Sequence, residues 1–140
     1  MSKVTVGWKE EAKLLKLNID SIKVKVDTGA KTSSLHAFDI ESFDKHGVSY
    51  VTFKTCPSKR HPKKIVECKA EIIDYRKITS SNGQTQFRYV IRTPITIGNK
   101  TWDIDITLAD RKKMSYKMLL GREAMNDIVV SPHKTYIQSD

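Results

Sequence analysis

Two cysteines, Cys56 and Cys68, are all the disulfide-forming capacity that 140 residues carry. A disulfide framework is therefore excluded, and a chain of this length can bury a core without one. A single bridge across a hairpin stays open, but unpaired, half-buried thiols with no assigned chemistry are the expectation in a reducing compartment. No apolar run is long enough to span a bilayer, and no basic stretch leading into an apolar one opens the chain. Internal repeats and linkers are missing too. The expectation is one cytoplasmic, soluble domain over residues 1–140, with no membrane partner.

Motifs for metal or nucleotide chemistry are missing as well. There is no H-E-x-x-H and no G-x-x-x-x-G-K-[ST] loop to cradle phosphates. His36, His46, His61 and His133 do not stand at ligand spacings, and Cys56 and Cys68 lack the C-x-x-C grouping of a zinc site. Neither a metal nor a cofactor is predicted. Acidic residues are in deficit: 16 Asp plus Glu against 25 Lys plus Arg leave a formal charge of +9, which attracts polyanions non-specifically. The basic residues are dispersed except for Lys59, Arg60, Lys63 and Lys64, in a loop with Pro57 and Pro62. Such a loop is either a solvated surface or a contact for nucleic acid or ribosomes. No aromatic stacking pattern or recognition helix accompanies it.

What the chain does have is a period of two. Val4, Val6 and Trp8, then Ile22, Val24 and Val26, then Trp102, Ile104, Ile106 and Leu108 alternate with polar or small residues, as half-buried strands do. Gly98-Asn99-Lys100 and Ser80-Ser81-Asn82-Gly83 mark hairpins between such runs. Helical periodicity is nearly absent; one short helix is expected over Arg122 to Asn126, after Gly121. The fold class expected is mainly β, a small closed or nearly closed barrel with one short C-terminal helix.

The run VKVDTGAKTSSL, from Val24 to Leu35, carries the candidate chemistry. A carboxylate at a strand end, Asp27, followed by a glycine that permits close approach or unusual dihedrals, is placed to face a cleft. Thr28 can lock the turn through its hydroxyl. An ordinary turn also uses Asp, Thr and Gly, so the triplet is weak by itself. Its partner is Met118-Leu119-Leu120-Gly121-Arg122, an apolar strand ending in a glycine. Together the two motifs resemble the retropepsin-like aspartic peptidases, in which the later strand threads beside the catalytic turn.

The resemblance extends over nearly the whole chain. GWKEEAKLL, IKVKVDTGAKTSSLHAFDIE, VECKAEI, ITSSNGQ, VIRTPITIGNKTWDIDITLADR and MLLGREAM, in that order, look like the bacterial retropepsin-like family named ATP-dependent zinc protease. That family is associated with RimK-type ATP-grasp ligases, which add glutamates to a ribosomal protein. The resemblance implies a retropepsin-like barrel with Asp27, Thr28 and Gly29 catalytic. It places Ala30, Lys31, Thr32, Asn82, Gly83 and Arg122 at the substrate, with the hairpin around Ser80 to Gln84 as a flap over the cleft. His36, nine residues after Asp27, is expected near the cleft in a structural or a catalytic role. The zinc and ATP of the family name find no support in the residues.

One Asp-Thr-Gly supplies one carboxylate, whereas aspartic peptidases use two that share a proton. The expectation is a homodimer in which Asp27 meets its counterpart, with Thr28 buttressing the interface. Viral relatives follow DTGA with acids that pair with the arginine after the later glycine. Here Lys31 and Thr32 follow, so Arg122 needs another partner, Glu123 or a different carboxylate, and Lys31 suits an anionic ligand. Three function classes stand: an aspartic endopeptidase acting on acidic or glutamylated tails; a non-catalytic regulator or adaptor binding the RimK-type ligase or its ribosomal substrate; and a nucleic-acid-binding β-barrel. The last explains the charge but leaves DTGA and LLGR unexplained.

Overall fold

The computed structural model describes residues 3–79 and 82–138, and most of them lie in strands. In chain order these are β1 (Val4–Gly7), β2 (Lys9–Leu14), β3 (Ile19–Val26), β4 (Ser33–His36), β5 (Phe38–Lys45) and β6 (Val48–Thr55). They continue with β7 (Val66–Thr79), β8 (Thr85–Ile97), β9 (Lys100–Ala109), β10 (Met118–Leu120) and β11 (Ile128–Ser131). Six of them, in the order β2-β3-β10-β4-β9-β8, close into a barrel where Lys13 of β2 meets Thr96 of β8. Closure leaves these strands without an open edge. Beyond β8 the sheet runs on through β7 and β6 to β5 as an antiparallel extension.

The alternating pattern explains the closure. On β3, Ile22, Val24 and Val26 are buried while Lys23 and Lys25 face solvent, and Ile104, Ile106 and Leu108 of β9 point inward likewise. They meet Leu14, Leu35, Ile91, Ile95, Ile97, Met118 and Leu120, all essentially inaccessible. Each such side chain contributes about 1.5–3 kcal/mol on burial. With that core no cross-link is needed, and both cysteines are free thiols, Cys56 half-buried and Cys68 buried. Burial pushes the Cys68 thiol up to about 11, so it stays protonated and donates to the Leu17 carbonyl at 3.2 Å.

Both expected hairpins are present. Between β8 and β9, Gly98 has φ +60° at the first position of a two-residue loop, the position a type II′ turn reserves for glycine. Between β7 and β8, Asn82 and Gly83 sit at an exposed tip; Ser80 and Ser81 lie outside the described residues. The expected helix over Arg122 to Asn126 shrinks to a single 3-10 turn, Arg122–Ala124. It stops at Met125, whose φ −102° and ψ 28° are no longer helical, and Asp127, at a left-handed φ of +59°, then redirects the chain into β11. The Trp102 indole N–H, donating to the Ala124 carbonyl at 3.0 Å, pins this turn to β9.

β1 and β11 form a separate parallel pair, Val4 opposite Ile128 through Gly7 opposite Ser131. The chain beyond β11 is clasped by Glu10, which is fully buried. Its carboxylate accepts the N–H groups of Gly7 at 2.7 Å, Ile137 at 2.9 Å and Gln138 at 3.1 Å. Three donors compensate the desolvation that an unpartnered buried carboxylate would suffer.

Candidate active site

The strand before the DTG turn and the strand after it are not neighbours. β10 lies between them, parallel to β3 and antiparallel to β4, with Leu120 beside Val26 and Leu119 beside Ser34. Residues 27–32 must therefore bridge two inter-strand steps, about 10 Å. The Asp27 N–H donates to the Leu120 carbonyl at 2.9 Å, and the Gly121 N–H to Ser33 Oγ at 3.0 Å. A Cβ on Gly121 would stand 2.5 Å from the Thr32 carbonyl carbon, so only glycine lets the strand thread this closely. The following N–H groups complete the clamp, Arg122 to the Ala30 carbonyl at 2.8 Å and Glu123 to the Lys31 carbonyl at 3.0 Å.

This clamp presents the Asp27 carboxylate at the surface, half-buried. Oδ1 accepts the Gly29 N–H at 2.9 Å, which fixes the plane of the group. Among the described residues the other oxygen accepts no hydrogen bond, and it is the one available to a ligand. The turn is locked by this carboxylate bond and by Ala30 N–H donating to the Asp27 carbonyl at 3.2 Å. It is not locked by the Thr28 hydroxyl, which is exposed and makes no bond within the described chain. Gly29 does not use a left-handed φ either; its value is room, since a Cβ there would lie 3.2 Å from Asp27 Oδ1.

Arg122 takes a partner that sequence reasoning did not foresee. Its Nη1 donates to the Thr28 carbonyl at 2.8 Å, so the backbone replaces the missing acid. Glu123 turns instead toward Lys31, at 4.0 Å, with the lysine side chain 77% exposed. That separation and exposure make a weak pair, and the Lys31 ammonium stays available beside the turn. Ala30 and Thr32 are half-buried parts of the clamp. Asn82 and Gly83 are exposed, with Gly83 at φ +83° and the Gln84 N–H donating to Asn82 Oδ1 at 3.1 Å.

Two arginines join this region that the motifs did not single out. Arg111, in the loop after β9, donates through Nε to the Tyr116 carbonyl at 3.0 Å, and it lies close enough to sense both Asp27 and Arg88 of β8. Burial and then the Arg88 guanidinium pull Arg111 below its usual value, while Asp27 pulls it back up. Arg88 is lowered by its own burial. His36 is buried, with Nδ1 accepting the Arg111 N–H at 2.9 Å and its ring against Phe38. Burial first, then the Lys117 ammonium, hold it below its ordinary range, and Asp110 opposes them. Because Nδ1 is occupied by an N–H, its 3.8 Å approach to Asp110 is not an ion pair.

Among the described residues no group of three His, Cys, Asp or Glu side chains converges as a metal site, so nothing among them supports the zinc of the resembled family's name. No helix among them is long and apolar enough to cross a membrane. The chain is 41% identical over 133 residues to a protein of Desulfotalea psychrophila named probable alpha-L-glutamate ligase, covering 94% of this chain and 29% of that one. A protein of the same name from Shewanella pealeana is 40% identical, with 96% and 30% covered. This chain thus spans less than a third of the length of these curated relatives. A crystal structure from Legionella pneumophila, of a protein described as of unknown function (DUF785), superposes with a TM-score of 0.81 at 31% identity, covering 99% of this chain and 100% of that one. The RimB-like family, described as retropepsin-like aspartic endopeptidase RimB, matches residues 5–140, and with its Asp-Thr-Gly turn clamped against Leu120 and Gly121 on a closed barrel the chain belongs to that family.

Proposed function

We propose that this protein is an aspartic endopeptidase that works as a homodimer on acidic or glutamylated protein tails. One observation carries the reading. The Asp27 carboxylate is fixed through one oxygen by the Gly29 N–H and leaves the other open. In such a dimer two Asp27 groups share one proton; the ionised one takes a proton from water as it attacks the peptide carbonyl, and the protonated one donates to the carbonyl oxygen. The single DTG per chain requires the second carboxylate from a partner. Lys31, Arg88, Arg111 and Arg122 around the turn favour carboxylate-bearing substrates over basic ones.

The non-catalytic reading also has a specific support: the curated relatives named as ligases are longer chains in which a segment like this one accounts for about 30%. A domain of this kind could hold a RimK-type ligase or its ribosomal substrate without cutting. Incubation with a glutamylated peptide, followed by mass spectrometry, separates the two. Peptidase action gives shorter products, and Asp27→Asn, nearly the same size but unable to act as base, abolishes them with an unchanged circular dichroism spectrum. Full activity in Asp27→Asn would overturn the aspartic mechanism.

A further inference from the structure

A second cleft, of about 280 Å³, lies between the loop that follows β6 and the start of β3. The lining residue of β3 nearest the catalytic turn is Lys23, about 13 Å along an extended strand from Asp27. Five cations line it: Lys23, Lys59, Arg60, Lys64 and Lys117. Against them stand two carboxylates, Glu11 and Asp20. Glu11 is already engaged by the Ser21 hydroxyl at 2.7 Å. Lys117 is buried and donates to the Lys112 carbonyl at 2.7 Å. Among the described residues the other four cations have no ion-pair partner and are exposed. The loop that carries three of them is tied in place. The Cys56 thiol lies 3.4 Å from the carbonyls of both Ser58 and His61, and the Lys64 N–H donates to the His61 carbonyl at 3.0 Å.

We propose that this cleft is a docking site for an acidic peptide segment, separate from the Asp27 turn. The charge excess selects an anion, and the rest of the lining selects its kind. Pro57 and Val66, both half-buried, give apolar wall against which the methylene stems of glutamates can lie while their carboxylates reach the cations. No Phe, Tyr or Trp lines the cleft; His61 is its one ring, and a lone imidazole does not make the series of platforms on which successive bases stack. A pocket of this volume takes a few side chains of a peptide and not a duplex. The site stands independently of the peptidase reading, since it asks nothing of Asp27.

The test uses Asp27→Asn protein, so that no turnover interferes, and a fluorescein-labelled octaglutamate peptide read by anisotropy at low and moderate salt. Lys59→Glu combined with Arg60→Glu should weaken binding on the order of tenfold to a hundredfold. The milder Lys64→Gln should weaken it severalfold. In amide NMR spectra the peptide should shift Ser21, Ser58, His61 and Ser115 in the parent and leave them in place in the double variant. Unchanged peptide affinity in these variants, with native spectra, would overturn the proposal. So would a loss confined to a single-stranded RNA oligonucleotide, which would make the cleft a polynucleotide site. If the wild type cuts no glutamylated peptide yet the variants lose octaglutamate binding, the peptidase reading fails and the docking site stands.

Discussion

At Gly121 a methyl group has nowhere to go: the atoms it would strike are the carbonyl carbon and oxygen of Thr32 and the carbonyl carbon of Lys31, all backbone. Gly121→Ala must therefore push β10 away from the turn, at a cost on the order of 3 kcal/mol. The Asp27 N–H bond to Leu120 sits on the same strand end, so the variant should lose urea stability and peptide cleavage together. Retained stability with lost activity would contradict this clamp. His36 gives the pH prediction. Burial favours its neutral ring, so the unfolded chain takes up a proton more readily than the folded one. The stability that depends on the neutral ring is complete above the ordinary value of 6.5 and drains away as pH falls from there toward the depressed folded value. Urea midpoints measured between pH 7.5 and 5.5 should fall, and His36→Gln should flatten that dependence. At this scale the motif residues Asp27, Gly29 and Gly121 were legible because each sits in a contiguous pattern. Arg88 and Arg111 were not, because they stand 23 positions apart in no pattern and meet only through the fold.

Elements with an apolar stripe announced themselves; β3 and β9 alternate cleanly because one face is core. β5 was invisible for the opposite reason: after Phe38 every residue from Asp39 to Lys45 is exposed, so no stripe exists to read. Its turn to β6, His46-Gly47, has φ +53° and +78°, a type I′ geometry that His-Gly signals less clearly than Asn-Gly would. The β7–β8 hairpin was readable through Asn82-Gly83, which sit exposed at its tip. Below that tip Tyr75 stacks on Phe87 and packs at a tilt against Tyr89, Tyr75 and Phe87 being mostly exposed, and these contacts stiffen its base. If this hairpin closes over bound substrate, amide exchange at Gly83 and Gln84 should slow when an uncleaved acidic peptide is added to Asp27→Asn protein. Exchange at Thr93 and Ile95, deep in the barrel, should not change. Equal rates at the tip with peptide bound would remove the flap role.

Barrel closure and charge are properties of the whole molecule. Period-two runs predicted a barrel, but no local signal shows that β2 returns to β8 or that β10 slots between β3 and β4, because those pairings join residues far apart in sequence. The assembly is equally non-local, and the proposed chemistry makes it measurable. If each active site needs an Asp27 from two chains, a dimer with one Asp27→Asn subunit holds a single carboxylate and cannot divide the base and acid roles between two groups. When wild type and Asp27→Asn are mixed in equal amounts and allowed to exchange, random pairing leaves about half of the wild-type chains in fully wild-type dimers. Activity per wild-type chain should then fall to about half, and further as the excess of Asp27→Asn grows, while an added inert protein has no effect. Activity per wild-type chain should also decline on dilution as dimers dissociate. A chain that cuts as a monomer would keep its specific activity through both the mixing and the dilution, and Asp27 would then have to find its second acid within its own subunit.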